Sequence, residues 1–131
     1  MEEYAVYTDG GARGNPGPAA CAFVVLNNKQ EEVFSAGFYL GETTNNIAEY
    51  SAVLKAIEWL GGHPAKFYLD SELVVKQLRG EYRIKNLELR KLFGQIDAKK
   101  YSWNHVNREQ NARADAIVNQ TLDAQIANRK T

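Results

Sequence analysis

The stretch TDGGARGNPG (residues 8–17) lies between two apolar runs, EYAVY before it and ACAFVVL after it. A glycine-rich loop that follows a strand often cradles phosphates, and that use makes definite demands. A P-loop needs a lysine followed by serine or threonine after its last glycine, and none is present. A dinucleotide fingerprint needs its glycines to open a helix, whose first amides hold the pyrophosphate. Here the loop leads through Pro16 and Pro18 into ACAFVVL, which reads as a strand. A strand–loop–strand hairpin accounts for the glycines through tight backbone geometry. It leaves Asp9, at the end of the first strand, without a role.

The chain has 131 residues and a hydrophobic share of 44%, as in a globular protein rather than a disordered one. One domain covering residues 1–131 is expected, large enough to bury roughly two thirds of the surface its unfolded chain would expose. No apolar stretch approaches the ~20 residues of a membrane span. The acidic start, MEEYAVY, lacks the basic opening of a signal peptide. A lone cysteine, Cys21, sits within an apolar run and reads as a core residue. A cytoplasmic monomer with no membrane association is the resulting expectation. The formal net charge is zero, which argues against a uniformly basic nucleic-acid binder. Between Lys76 and Lys91, however, Lys76, Arg79, Arg83, Lys85, Arg90 and Lys91 face only Glu81 and Glu88. Alone, such a run reads as a solvated helical surface.

Residues 3–9, 20–27 and 31–40 read as strands, with Asn27-Asn28-Lys29-Gln30 as a hairpin turn between the second and third. A helix follows from about Ile47 to Leu60, with Tyr50, Val53, Leu54, Ile57 and Leu60 at helical period and Asn45 or Asn46 as its cap. Lys66 to Asp70 reads as a short strand and Ser71 to Leu78 as a helix. A helix over Leu87–Ala98, a strand over 101–107 and a last helix from near Ala112 complete the chain. The order β-β-β-α-β-α-α-β-α predicts an α/β fold with a five-stranded mixed sheet. Its strands 1, 4 and 5 are parallel, and helices cover its faces.

On that plan Asp9 and Asp70 both end parallel strands, where functional groups of open α/β sheets gather. Each alone is a common cap or loop anchor. Together their like charges repel unless they are protonated or bridged by cations. Glu49, expected in the first turn of its helix, and Asp115, in the first turn of the last helix, bring two more acids to element ends. An acid in a first turn ordinarily complements the helix dipole. Four oxygen-ligand acids with no cysteine and hardly any histidine nearby favour Mg²⁺ or Mn²⁺ over zinc. His63 reads as an exposed turn residue and His105 as a strand residue.

The segments YTDGGARGNPG, TTNNIAEY, FYLDSELV and REQNARADAIV resemble, in order and spacing, those of type 1 ribonuclease H. They run through nearly the whole chain, and the element order is similar to that of the ribonuclease H-like fold. The resemblance implies hydrolysis of the RNA strand of RNA–DNA hybrids, leaving 5′-phosphate and 3′-hydroxyl ends. It implies Asp9, Glu49, Asp70 and Asp115 as catalytic metal ligands for two Mg²⁺ ions about 4 Å apart, with Mn²⁺ as a substitute. Asp9 would bridge, and Glu49 would also position a 2′-hydroxyl. Gly11, Ala12, Asn15, Thr44, Asn45, Asn46, Glu72 and Asn86 would contact the hybrid, where the 2′-hydroxyl marks RNA in the minor groove.

Three features depart from the family pattern. Many members carry a histidine in a loop before the last helix, where this chain has Arg108-Glu109; Arg108 is the expected phosphate or product contact. A basic, tryptophan-containing protrusion is replaced by EYRIKN, so this is a compact form whose hybrid affinity rests on the Lys76–Lys91 charges. Glu72 stands where a glutamine often touches the hybrid. Two rival readings are a non-catalytic hybrid-binding module and a same-fold metal nuclease acting on double-stranded RNA.

Overall fold

The structure, a computed structural model, describes residues 2–130. Five strands, β1 (Tyr4–Ala12), β2 (Gly17–Leu26), β3 (Glu32–Thr43), β4 (Ala65–Leu69) and β5 (Ser102–His105), form one sheet in the order β3-β2-β1-β4-β5. The helices are α1 (Asn45–Leu60), α2 (Glu72–Leu78), α3 (Leu87–Phe93) and α4 (Ala112–Lys130). β1, β4 and β5 run parallel, while β2 is antiparallel to both of its neighbours. This is the α/β ribonuclease H-like fold that the sequence predicts. Among the described residues no helix is long and apolar enough to cross a membrane.

β2 is buried along nearly its whole length because both faces of the sheet are covered. Its side chains alternate, as a pleated strand requires. Phe23 and Val25 join the larger core under α1, α2 and α3, with Val6, Tyr50, Val53, Phe67 and Trp103. Ala20, Ala22 and Val24 join a smaller core beneath α4, with Ala114, Ile117, Val118 and Leu122. Ala114, Ile117, Val118 and Leu122 recur at helical period and form the face that α4 buries. Cys21 is fully buried, and burial pushes its thiol up to about 12, so it is a core residue.

Several boundaries differ from expectation for local reasons. β1 does not stop at Asp9 but pairs with β2 as far as Ala12↔Ala19, which leaves only residues 13–16 as a connector. α1 starts at Asn45, and its cap is Thr44, whose hydroxyl accepts from the Ile47 N–H, rather than Asn45 or Asn46. Glu49 consequently sits one turn inside the helix and not in its first turn. α3 ends at Phe93; tight turns from Leu92 and Phe93 to Gln95 and Ile96 then bring Ile96 back into the core. β5 is limited to Ser102–His105, matching the short β4 beside it. His63 is half-buried rather than exposed, stacked 4.1 Å from the Tyr4 ring.

The packing of α1 on β1 depends on Gly10. A Cβ there would fall on the main chain of Ala48 and Glu49, atoms that cannot rotate aside. At neighbouring Gly11 the nearest atom to such a Cβ is Asn45 Oδ1 at 3.9 Å. Gly10→Ala is therefore expected to destabilise the protein by about 3 kcal/mol, at the upper end of overpacking costs. Gly11→Ala should stay within about 1 kcal/mol of wild type. Urea unfolding of the two variants tests this, and equal midpoints would refute the close-approach account.

Candidate active site

The register of the parallel strands builds the site. β1 and β4 pair from Tyr4↔Ala65 to Tyr7↔Tyr68, and no pair follows. Two residues beyond the last pair, each strand carries its aspartate, so Asp9 and Asp70 stand level where the strands part. Beyond that point β1 stays with β2, while the chain after β4 turns into α2, capped by Ser71. The gap is the cleft that open parallel sheets form beyond their carboxyl ends. α1, drawn close at Gly10, brings Glu49 to the same point.

Asp9, Glu49 and Asp70 each present a carboxylate oxygen, and all three lie within 4.8 Å of one another. Asp115, near the start of α4, lines the same cleft of about 510 Å³ without belonging to that tight group. The structure thus brings together three of the four expected acids and sets the fourth in the lining of the same cleft. Burial, then the charges of Asp70, Asp115 and Glu49, pushes Asp9 up to about 8. Burial and the Asp70 charge push Glu49 up to about 7, against a Ser71 hydrogen bond that acts the other way. Like-charged oxygens held this close, with no cation salt-bridged to any of them among the described residues, suit a divalent cation.

Around the acids, short polar side chains tie the walls together. Asn15 Oδ1 accepts from the Asn45 N–H, and Asn45 Oδ1 accepts from the Ala12 N–H, locking the β1–β2 connector to the start of α1. These bonds use the side-chain oxygens and leave the amide nitrogens as donors. Gly11, Ala12, Asn45 and Asn46 line the cleft, and Thr44, next in the chain to Asn45, is the α1 cap. Arg108 also lines the cleft. Glu72 is exposed and paired with Lys76 at 3.0 Å, so its charge is partly offset. Asn86 is not part of the cleft lining and caps α3 by accepting from the Leu89 N–H.

Three residues in or beside the cleft escape the sequence reading. Arg13 lines the cleft and reaches across to α4, 2.8 Å from Asp123. Ser71, read only as the start of a helix, caps α2 and also hydrogen-bonds Glu49. Asn111 is buried beside Asp70. Arg13 stands inside the opening motif and could have been picked out there as its only cation. The other two depend on side-chain contacts between elements and leave no spacing signal. Of the basic run, Arg79 and Arg90 donate to the carbonyls of Trp103 and Ile84, so part of that charge serves the fold.

The raised acids carry a sign that can be tested on the metal-free protein. Between its ordinary value of 3.8 and about 8, folded Asp9 keeps a proton that the unfolded chain has released. Stability therefore falls as pH rises through that window, by up to about 1.4 kcal/mol per pH unit for one group. Asp9→Asn should flatten this slope and melt about 3 °C or more above wild type at pH 8 in chelator. Thermal melts across pH 4 to 8 decide it; a wild type that gains stability with pH would contradict the electrostatic account.

The model of the RNase H family matches residues 1–127. Ribonuclease HI of Halobacterium salinarum is 39% identical over 127 residues, an alignment covering 89% of this chain and 63% of that protein. The bifunctional protein Rv2228c of Mycobacterium tuberculosis is 34% identical over 128 residues, covering 91% of this chain and 35% of that protein. The chain thus spans less than two thirds of the length of these curated relatives. A solved structure of LC11-RNase H1 in complex with an RNA/DNA hybrid superposes with a TM-score of 0.90 at 37% identity, covering 95% of this chain and 99% of that one. Fold, family match and acidic cleft agree: this chain belongs to the type 1 ribonuclease H family, in a compact form.

Proposed function

We propose that the protein is an endoribonuclease that hydrolyses the RNA strand of RNA–DNA hybrids, leaving 5′-phosphate and 3′-hydroxyl ends. The observation that carries this reading is the convergence of Asp9, Glu49 and Asp70 within 4.8 Å at the parting of β1 and β4. A binding module would gain nothing from so much like charge. The hybrid bound to LC11-RNase H1 supports the substrate class.

Asp9, Glu49, Asp70 and Asp115 would hold two Mg²⁺ ions, or Mn²⁺ in their place. When bound, such ions lower the pKa of an attacking water and stabilise charge on the leaving 3′-oxygen. The chain's own residues supply the rest. Asp9, which feels the charge of all three other acids, would be the central ligand, shared between the ions. Glu49, held by Ser71, would also orient the 2′-hydroxyl next to the scissile phosphate. The amide nitrogens of Asn15, Asn45 and Asn46 and the Thr44 hydroxyl would read the minor groove, where Gly11 and Ala12 allow close approach. Glu72 and Asn86 would touch the hybrid farther out. Arg108 would meet a phosphate or the cleaved product. The enzyme would work as a cytoplasmic monomer.

Labelled RNA–DNA hybrid, double-stranded RNA and double-stranded DNA, each with Mg²⁺ or Mn²⁺, provide the test. Wild type should cut only the RNA of the hybrid, and Asp70→Asn should lose at least about a hundredfold in rate while staying folded. No hybrid cleavage with either metal sinks the enzyme reading, and near-normal Asp70→Asn activity sinks the assignment of ligands. Equal cutting of double-stranded RNA would transfer the protein to the rival nuclease class. For Asn86, removal of the α3 cap by Asn86→Ala should cost about 1 kcal/mol of stability. A hybrid contact would raise KM as well, and an unchanged KM removes Asn86 from the substrate surface.

A further inference from the structure

The turn before α4 carries a buried polar side chain that the proposed chemistry does not use. Asn111 is 1% exposed. Its Nδ2 donates to the Thr8 carbonyl at 2.9 Å and to Asp70 Oδ2 at 3.3 Å. Its Oδ1 is buried and has no hydrogen-bond partner among the described residues. A half-satisfied buried amide costs about 1–3 kcal/mol, so packing alone does not account for an asparagine at this position.

The location gives the reason. Main-chain pairing between β1 and β4 ends at Tyr7↔Tyr68, one residue before Thr8 and two before Asp70. Where that ladder stops, the Asn111 amide bridges the gap, with one donor on β1 and one on the carboxylate beyond β4. It also stands four residues ahead of Asp115 and so joins the start of α4 to both strand ends. A donor on Oδ2 fixes the Asp70 rotamer and leaves Oδ1 for a cation. We propose that Asn111 is a positioning residue of the metal site, setting the orientation of Asp70 and its spacing from Asp9. This rests on the metal reading given above.

Manganese titration of the full chain by calorimetry tests it, with Asn111→Leu, Asn111→Ala and the core variant Val25→Ala beside wild type. Leucine has the branched shape and heavy-atom count of asparagine and lacks a donor, and alanine removes the donor without adding bulk. Both Asn111 variants should bind Mn²⁺ about tenfold more weakly, the usual loss when a partner of a metal ligand is removed. Their KM for hybrid should not change. Val25→Ala, destabilised at the far end of the β1–β2 pair, should keep wild-type affinity. Wild-type affinity in Asn111→Leu, or an equal loss in Val25→Ala, overturns the positioning role while leaving the metal reading intact. A wild type that binds no Mn²⁺ overturns both. In wild-type protein the Asn111 side-chain amide resonance should also move on Mg²⁺ addition. A stationary resonance would refute the role even if neither Asn111 variant folds.

Discussion

β1 and β4 lie parallel and in register up to Tyr7 and Tyr68, and there they part. Everything in the cleft depends on that event. Parallel pairing puts both carboxyl ends on one side of the sheet, and equal spacing from the last pair sets Asp9 level with Asp70. The parting is enforced from both sides. β1 continues under the pull of β2, while Ser71 caps α2 and takes the other chain away. Gly10 then admits α1 close enough for Glu49 to complete the group.

Such a group is electrostatically unfavourable on its own. Asp9 and Glu49 are pushed far above their ordinary values, chiefly by burial. The fold offsets this elsewhere, in two apolar cores on opposite faces of the sheet. The surrounding cations are kept at a distance: Arg13 is paired with Asp123, and no arginine or lysine forms a salt bridge with Asp9, Glu49 or Asp70 among the described residues. A basic side chain within the group would relieve the repulsion and remove the attraction for a divalent ion. Stability and cation affinity are therefore opposed at this point.

The polar rim has two duties. Thr44, Asn15 and Asn45 use their oxygens to cap α1 and hold the β1–β2 connector, and Asn86 does the same for α3. An asparagine that accepts from the backbone with Oδ1 keeps its Nδ2 protons as donors. Side chains fixed in this way lose less rotamer freedom on any later contact.

Much of this was legible in the residues themselves. Strand alternation, the α4 stripe and the four acidic segments are local patterns, and they specify element order, family and the identities of the four acids. Element ends were less legible, because they depend on partners: β1 runs past Asp9 only since β2 offers Ala19 to Ala12. Tertiary structure alone decided that Asp9, Glu49 and Asp70 form the tight group while Asp115 lines the same cleft outside it. It also decided that Asn111 spans the strands and that Ser71 serves Glu49. Periodicity and spacing record what a residue does along its own element. Where two elements end side by side is set by register and close packing between distant segments, and no local pattern carries that.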